Sequence, residues 1–247
     1  MEQYQMGMKA VLLAAETILE SSGETYRAEE TALRMAQAFG FDRTEILAFP
    51  TGFTIAFYLK EGWKETHVVR IRERAIQLDS INEVNTISRK AACGEMSAME
   101  SLKALQTLRS RPVPHILRQA LIFALSAGSF SVMFGGGFTE FFVSFIAGFL
   151  MRTLMPLYRH MQAPAPLVAL FSGAVAAIAS LVLIRVFGGN QEAIIAGAIM
   201  PLLPGIAMTN AVRDTMRGDL ISGTARGADA FLSAVLLAAG VAIVMML

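Results

Sequence analysis

Five apolar segments, each about twenty residues long, occupy the second half of this chain. A transmembrane helix needs roughly 20 apolar residues, because it rises about 1.5 Å per residue through a hydrocarbon core about 30 Å thick. The mean hydropathy of +0.51 agrees with this length pattern and is too high for an ordinary soluble domain. The sequence therefore predicts five membrane spans, at 117–134, 138–157, 165–187, 191–210 and 228–247.

Charged residues are concentrated before the first apolar segment. Residues 1–115 hold 14 of the 21 lysines and arginines and 15 of the 20 aspartates and glutamates. This asymmetry predicts two domains, a soluble one at 1–115 and a transmembrane one at 116–247. The formal net charge of +1, without a basic block, argues against a nucleic-acid partner, because such a partner requires many cations facing its phosphates.

Periodic patterns in the first domain predict an α+β fold. Residues from Gly52 to Leu59 alternate between two rows, one of which contains Phe53, Ile55 and Phe57, and a period of two is typical of a half-buried strand. Neighbouring segments are expected to pair with this strand in a small antiparallel sheet that has helices on one face. The predicted strands are 45–49, 52–59 and 66–71, and the predicted helices are 5–21, 25–39, 74–91 and 95–109.

Basic residues near the span ends predict the orientation in the membrane. Lysine and arginine favour the cytoplasmic flanks of spans, and only Arg185 lies on the opposite side in this chain. The opening residues lack the basic start and apolar run of a signal peptide. We therefore expect a multi-pass protein of the bacterial cytoplasmic (inner) membrane, with the N-terminus and the soluble domain inside and the C-terminus outside. The arginines on the predicted inner side are Arg109, Arg111, Arg118, Arg152, Arg159, Arg213, Arg217 and Arg226.

The fourth apolar segment contains residues that interrupt helices. Proline removes a backbone donor and clashes with the preceding turn, so Pro201 and Pro204, together with Gly205, predict a kink or an unwound stretch inside the bilayer. In secondary transporters such interruptions expose helix ends to substrates or ions. The alternative interpretation is a kink that serves packing, since proline and glycine are common in membrane helices.

Polar residues follow this interruption on the next helical turns. Thr209 and Asn210 are expected to line a polar path, and the planar guanidinium of Arg213 is suited to binding a carboxylate. Asp214 and Asp219 lie with Arg213 in or beside a predicted cytoplasmic loop at 213–229. The alternative for this arginine is a loop residue that only follows the positive-inside tendency.

Three further carboxylates lie near span ends. Asp229 enters the fifth span, where an ionisable side chain tends to face a polar cavity or a partner, so it is either functional or paired with Arg226 or Arg213. Glu140 and Glu192 lie at the outer ends of the second and fourth spans, where partial desolvation would favour proton exchange. The alternative for these two glutamates is simple residence among the lipid headgroups.

Two motifs in the soluble domain have structural explanations. Gly23, Glu24, Thr25 and Arg27 are expected to turn the chain and begin a helix, and the segment Pro50, Thr51 and Gly52 to form the turn before a strand. Neither supplies a nucleophile with a base, and neither a phosphate-binding loop nor a metal-ligand spacing is present. The sequence therefore predicts no enzyme, no metal and no cofactor, and an ion gradient as the energy source.

These motifs, in their order along the chain, resemble the threonine/serine exporter (ThrE-type) family. The resemblance implies a cytoplasmic domain, about five spans and a second membrane half, and it implies export of threonine and serine, or of a dicarboxylate, driven by the proton motive force. This chain is similar to the larger subunit of split exporters, one pair of which is associated with succinate. The residues that carry the resemblance are 23–27, 50–52, 70–72, 85–89, 200–205, Thr209, Asn210, Arg213, Asp214, Gly218, Asp219, Ser222 and Gly223.

Two hypotheses of different classes follow. The first is a subunit of a secondary exporter of small carboxylate-bearing metabolites, in which Arg213 attracts the carboxylate while Asp214, Asp219 or Asp229 couples to protons or pairs with arginines. Its expected partners are the lipid bilayer and a second small membrane subunit, or another copy of this chain. The alternative is a membrane-anchored sensor or assembly protein whose cytoplasmic domain binds a ligand or a partner.

Overall fold

The computed structural model describes residues 2–59, 62–112, 114–160 and 164–247. The chain forms two compact units that interleave along the sequence. The sheet unit comprises Met1–Pro112 and Ile206–Gly227, and the helical unit comprises Val113–Gly205 and Ala228–Leu247. The sequence predicts one division near residue 115, whereas the structure groups 206–227 with the N-terminal residues.

The sheet unit contains a three-stranded antiparallel sheet packed against helices, as the periodic patterns predict. The strand order is β1-β2-β3, and the register places Ile46 opposite Ile55 and Ile55 opposite His67. The elements in chain order are α1 (Glu2–Glu20), α2 (Thr25–Ala38), β1 (Arg43–Phe49), β2 (Gly52–Tyr58), β3 (Lys64–Arg70), α3 (Leu78–Ala92) and α4 (Ala98–Arg109).

One face of the sheet forms the core of this unit together with the apolar faces of the helices. Ile55 and Phe57 of β2 are fully buried, which confirms the alternation read from the sequence. They share a continuous apolar cluster with Val11 and Ile18 of α1 and Met35 of α2. This cluster therefore packs α1 and α2 together with the sheet.

The helical unit contains long apolar helices, and four helices of the described chain are long and apolar enough to cross a membrane. The first three predicted spans correspond to the helices α5, α6 and α7, which are candidate spans by length and composition. The structure has α5 at Ile116–Met133, α6 at Phe138–His160, α7 at Ala165–Phe187, α8 at Gln191–Ile199, a 3₁₀ turn at Met200–Leu202, α9 at Gly205–Met216 and α10 at Leu220–Met245.

The fourth predicted span is not one continuous helix. The segments Gln191–Leu202 and Gly205–Met216 form a pair bent by 54° at the break, and they count as a fifth candidate span only if the pair is taken together. At about 1.5 Å per residue, the first segment alone would extend roughly 18 Å, which is well short of a bilayer core. The prolines therefore break this segment, as the sequence predicts.

The predicted loop at 213–229 is wrong. Helix α9 continues to Met216, and α10 begins at Leu220 rather than at 228, so only Arg217, Gly218 and Asp219 separate the two helices. Gly218 adopts a positive φ of 88°, which permits the sharp turn. Arg213, Asp214, Arg226 and Asp229 are consequently held on helices, and only Arg217 and Asp219 of the charged residues lie in the turn.

Candidate functional site

The turn between α1 and α2 has a backbone geometry that depends on two small residues. The N–H of Gly23 donates to the carbonyl of Ile18 at 2.8 Å, and the N–H of Ser22 donates to that of Leu19 at 3.1 Å, the pattern of a Schellman motif. Ser22, with φ of 61°, is the left-handed residue, whereas the sequence assigns the turn to Gly23. Gly23 is needed for space, because a Cβ there would lie 2.6 Å from Cγ2 of Ile18.

Helix α2 begins at this turn, and a residue from the far end of the sequence caps it. Glu24 occupies the N-cap position, but its side chain makes no capping hydrogen bond. Instead, Oδ1 of Asp214 on α9 accepts from the N–H of Thr25 at 3.3 Å, and Oδ2 accepts from the Thr25 hydroxyl at 3.0 Å. A carboxylate at a helix N-terminus accepts from a backbone N–H that has no partner within the helix, and it is attracted by the positive end of the helix dipole.

Asp214 also pairs with an arginine that is equally buried. Nε of Arg226 lies 3.1 Å from Oδ2 of Asp214, and the exposed fractions of the two side chains are 4% and 0%. Nη2 of Arg226 donates to the carbonyl of Gly23 at 2.6 Å, and the amide of Asn210 donates to the carbonyl of Ser22 at 2.9 Å. We call Thr25, Asn210, Asp214 and Arg226 the buried cluster.

A glycine allows α9 and α10 to approach closely beside the buried cluster. A Cβ on Gly223 would collide with the hydroxyl of Thr215 and would lie 2.9 Å from the carbonyl oxygen of Ala211. The helices can therefore meet only because this position has no side chain. This close approach of the two helices places Arg226 of α10 beside Asp214 of α9.

A second, more exposed group of charges lies at the same helix start. Oε1 of Glu24 accepts from Nη1 of Arg213 at 2.7 Å and from Nη2 of Arg27 at 3.3 Å, while Oε2 lies 2.9 Å from Nε of Arg27. The exposed side-chain fractions are 6% for Glu24, 32% for Arg27 and 54% for Arg213. We call these three residues the surface cluster.

The surroundings of Glu24 keep it ionised. Burial by itself would raise the pKa of Glu24, but hydrogen bonds from its own backbone N–H and from Arg213, with the charges of Arg27 and Arg213, lower that pKa below its ordinary value. The carboxylate is therefore charged at neutral pH. The surface cluster thus carries two positive charges and one negative charge.

A nearby carboxylate was not predicted from the sequence. Oε1 of Glu29 accepts from the backbone N–H of Ala48 at 2.8 Å, which joins α2 to β1. Burial raises the pKa of Glu29; the bond from Ala48 lowers it, and the negative charges of Asp219 and Asp214 raise it further, so that the net shift is upward. Only the three-dimensional proximity of these carboxylates reveals this effect.

The whole chain can now be placed among known proteins. The family described as putative threonine/serine exporter matches residues 9–247. This chain belongs to that family. It is 24% identical over 230 residues to a probable succinate transporter subunit YjjP of Klebsiella aerogenes, covering 92% of this chain and 88% of that protein. The Escherichia coli protein of the same name is 25% identical, with 87% and 84% covered.

A further relative is longer than this chain. The probable threonine/serine exporter of Mycobacterium tuberculosis is 21% identical over 226 residues, which are 89% of this chain but 42% of that protein. No solved structure matches the chain. These relatives are named as transporters, and with its apolar helices this member of the exporter family is a multi-pass membrane protein.

The structure brings several of the predicted residues of this family member together. In the surface cluster, Glu24 binds both Arg27 and Arg213. In the buried cluster, Thr25 binds Asp214. Asn210 joins them through Ser22, and Asp219 accepts from the N–H of Ser222 at 3.2 Å, at the start of α10. The predicted sites on the soluble domain and after the helix break are therefore one site.

Other predicted residues lie elsewhere in the structure. Pro50 and Thr51 form the hairpin turn between β1 and β2, Gly52 begins β2, and the carbonyl of Thr51 accepts from the N–H of Ile71. Thr209 is exposed on α9. The remaining predicted residues belong to the helical unit: Pro201 in the 3₁₀ turn, Pro204 and Gly205 at the break, and Glu140, Glu192 and Asp229 on helices.

Glu140 has a structural position in the helical unit. Its Oε1 accepts from the N–H of Asn190 at 2.8 Å, and its Oε2 accepts from the N–H of Gly137 at 2.7 Å. The carboxylate thus joins the turn before α6 to the start of α8. Glu192 and Asp229 are exposed on their helices. Among the residues that the structure describes, no group of histidine, cysteine, aspartate and glutamate is arranged to hold a metal ion.

Proposed function

We propose that this chain is a subunit of a secondary-active exporter of small carboxylate-bearing metabolites, either threonine and serine or a dicarboxylate such as succinate. Membership in the threonine/serine exporter family supports the transport class. The names of the relatives, one a succinate transporter subunit and one a threonine/serine exporter, support the substrate class. Both groups of substrates share a carboxylate, so a carboxylate site is the feature that the chain must supply.

The single observation that carries this proposal is that Arg213 is accessible to solvent and already binds a carboxylate. Its side chain is 54% exposed, and its guanidinium binds a carboxylate, that of Glu24, at 2.7 Å. It lies on α9, the helix that follows the break in the fourth apolar segment. A half-exposed arginine on the helix after the break combines access for a solute with the planar donor geometry that carboxylates prefer.

The buried cluster suggests a positioning role for Asp214. Its carboxylate has no solvent exposure and is already bound by Thr25 and Arg226. We therefore assign Asp214 to holding α9 and its neighbour Arg213 in place, and not to carrying protons. Coupling to the proton motive force then falls to another ionisable group, and Asp229 on α10 is our candidate because it lies within a candidate span.

We propose that the sheet unit faces the cytoplasm in a bacterial inner membrane, as the distribution of arginines predicts. Arg213 would then meet substrate on the side from which an exporter loads. The relative from Mycobacterium tuberculosis extends well beyond the matched region, since that region is 42% of its length. This length difference supports a second subunit that supplies the remaining membrane half.

The proposal is tested by removing the guanidinium. Replacing Arg213 with alanine should raise the half-saturating substrate concentration at least about tenfold, because hydrogen bonds to charged groups contribute about 1.5–3 kcal/mol. Export of labelled threonine and of succinate is measured as uptake by inverted membrane vesicles, prepared from cells that carry the variant in the chromosome so that any partner is retained.

Arg217→Ala is the matched control for this experiment. It removes the same charge from the turn after α9, where the guanidinium lies over the ring of Tyr26 at 4.7 Å. Immunoblots of the membrane fraction check that both variants are inserted equally. Unchanged uptake of both substrates in the Arg213→Ala vesicles would refute the assignment, and unchanged metabolite levels after deletion of the whole chain would favour the sensor hypothesis.

A further inference from the structure

We infer that Glu24 is an internal competitor for the substrate carboxylate at Arg213, so that loading of the exporter requires Arg213 to separate from this side chain. The inference rests on the proposed function and concerns the regulation of the same site. It follows from three features of the surface cluster: the shared acceptor, the unequal exposure of its members and the presence of a second arginine.

Glu24 occupies the place that a substrate carboxylate would take. Its Oε1 lies 2.7 Å from Nη1 of Arg213, a normal distance for a charge-assisted hydrogen bond. A solute carboxylate that binds the edge of the guanidinium carrying Nη1 needs the same donor. Two carboxylates at that edge would compete for this donor and repel each other, so binding of one must reduce binding of the other.

The two side chains of this ion pair differ in exposure, so one of them can leave the pair more easily than the other. Glu24 is 6% exposed and packs at the start of α2, whereas Arg213 is 54% exposed. The arginine is therefore the member that can leave the pair, since its long side chain is already half exposed to solvent. Arg213 can turn away from Glu24 while Glu24 keeps its contact with Arg27.

Arg27 removes the main penalty of this exchange. A buried carboxylate that loses its only cation is left with an uncompensated charge, which is strongly unfavourable. Glu24 keeps Nε of Arg27 at 2.9 Å when Arg213 leaves. The second arginine thus makes the pair with Arg213 exchangeable, whereas a lone Glu24 would retain it.

The magnitude of the competition follows from the exposure of the pair. Ion pairs with a solvent-exposed partner stabilise the paired state only slightly. For this pair, we expect free Arg213 to be about two- to fivefold less populated than Arg213 bound to Glu24. The apparent dissociation constant rises by the inverse of the competent fraction. The competition therefore raises the substrate concentration at which export begins without preventing export above it.

Two variants of the surface cluster test this inference in opposite directions. Glu24→Gln removes the competing charge, so the half-saturating concentrations of both threonine and succinate should fall about three- to sixfold. Arg27→Ala removes the alternative partner, so Glu24 should hold Arg213 more firmly and the same concentrations should rise. Glu30→Gln is the matched control, because Glu30 is exposed on the same helix and loses the same charge.

The measurement is the concentration dependence of uptake by inverted vesicles, with maximal rates normalised to the amount of inserted protein. A merely structural role of the surface cluster would shift Glu24→Gln and Arg27→Ala in the same direction, and that result would overturn the inference. A higher half-saturating concentration for threonine in Glu24→Gln would also overturn it, because Glu24 would then bind the ammonium group of the amino acid. Loss of uptake in Arg213→Ala with no change in Glu24→Gln would refute the competition while leaving the proposed function intact.

Discussion

Replacing Asp214 with asparagine should destabilise the sheet unit strongly, although the two side chains are nearly the same size. Asparagine keeps an oxygen that can accept from the N–H of Thr25, so most of the cap of α2 survives. The variant loses the ion pair with Arg226, whose side chain is 4% exposed. Arg226 would keep the carbonyl of Gly23 as an acceptor but would have no carboxylate in the buried cluster. Removing one partner of a buried ion pair costs about 3–5 kcal/mol, and we expect a loss in the free energy of unfolding within this range.

The single tryptophan of the sequence provides the assay. Trp63 packs against the core of the sheet unit, so its fluorescence reports unfolding of that unit by urea in detergent. Asp219→Asn is the matched control, since Asp219 accepts from the N–H of Ser222 at the start of α10 and asparagine is an equally good residue at helix starts. We expect this control to lose less than about 1 kcal/mol.

A double variant separates the charge effect from the capping effect. Combining Asp214→Asn with Arg226→Met removes both charges and should recover at least half of the lost free energy, because a buried pair replaced as a whole is often nearly neutral. A loss below about 1 kcal/mol in Asp214→Asn would refute the reasoning, since a buried arginine without its counter-ion cannot be that well tolerated. An equal loss in the double variant would show that the charge of Arg226 is not the cause.

Two further predictions concern packing and pH. Gly223→Ala should lower the free energy of unfolding by about 1–3 kcal/mol, because the new Cβ would collide with Thr215. Gly227→Ala should be neutral or slightly stabilising, because the nearest atom to its Cβ would lie 3.8 Å away. Thermal unfolding followed by tryptophan fluorescence checks both variants, and equal stability of the two would contradict the packing argument. The pKa of Glu29 is raised in the folded state, so the stability due to its protonated form is fully present below the ordinary value of 4.5 and is lost as the pH rises through the folded-state pKa. Glu29→Gln, which keeps an acceptor for Ala48, should therefore melt at a higher temperature than the unmodified chain at pH 7 and at the same temperature near pH 4, and a constant difference across this range would contradict the assignment.

The local elements of this chain follow from short-range patterns. The alternation around Ile55 depends only on the two-residue period of a strand, and the structure reproduces it with antiparallel neighbours. The break near Pro201 and Pro204 likewise depends on the chemistry of proline within its own helix. The start of α10 at Leu220 was missed, because the charges and glycines after Met216 resemble a long loop, although the turn is short and Arg226 and Asp229 lie in a helix.

The sequence by itself determined the apolar spans, the small sheet, the helix break and the types of residue at the candidate site, because each depends on residues within about one or two turns of one another. It did not determine that Glu24 binds Arg213 or that Asp214 caps α2. These residues are 189 positions apart, and a pairing at that separation depends on how the intervening elements pack. Only the tertiary structure decided that the two motifs form one site, because the close approach at Gly223 places Arg226 against Asp214 and thereby fixes α9 at the start of α2.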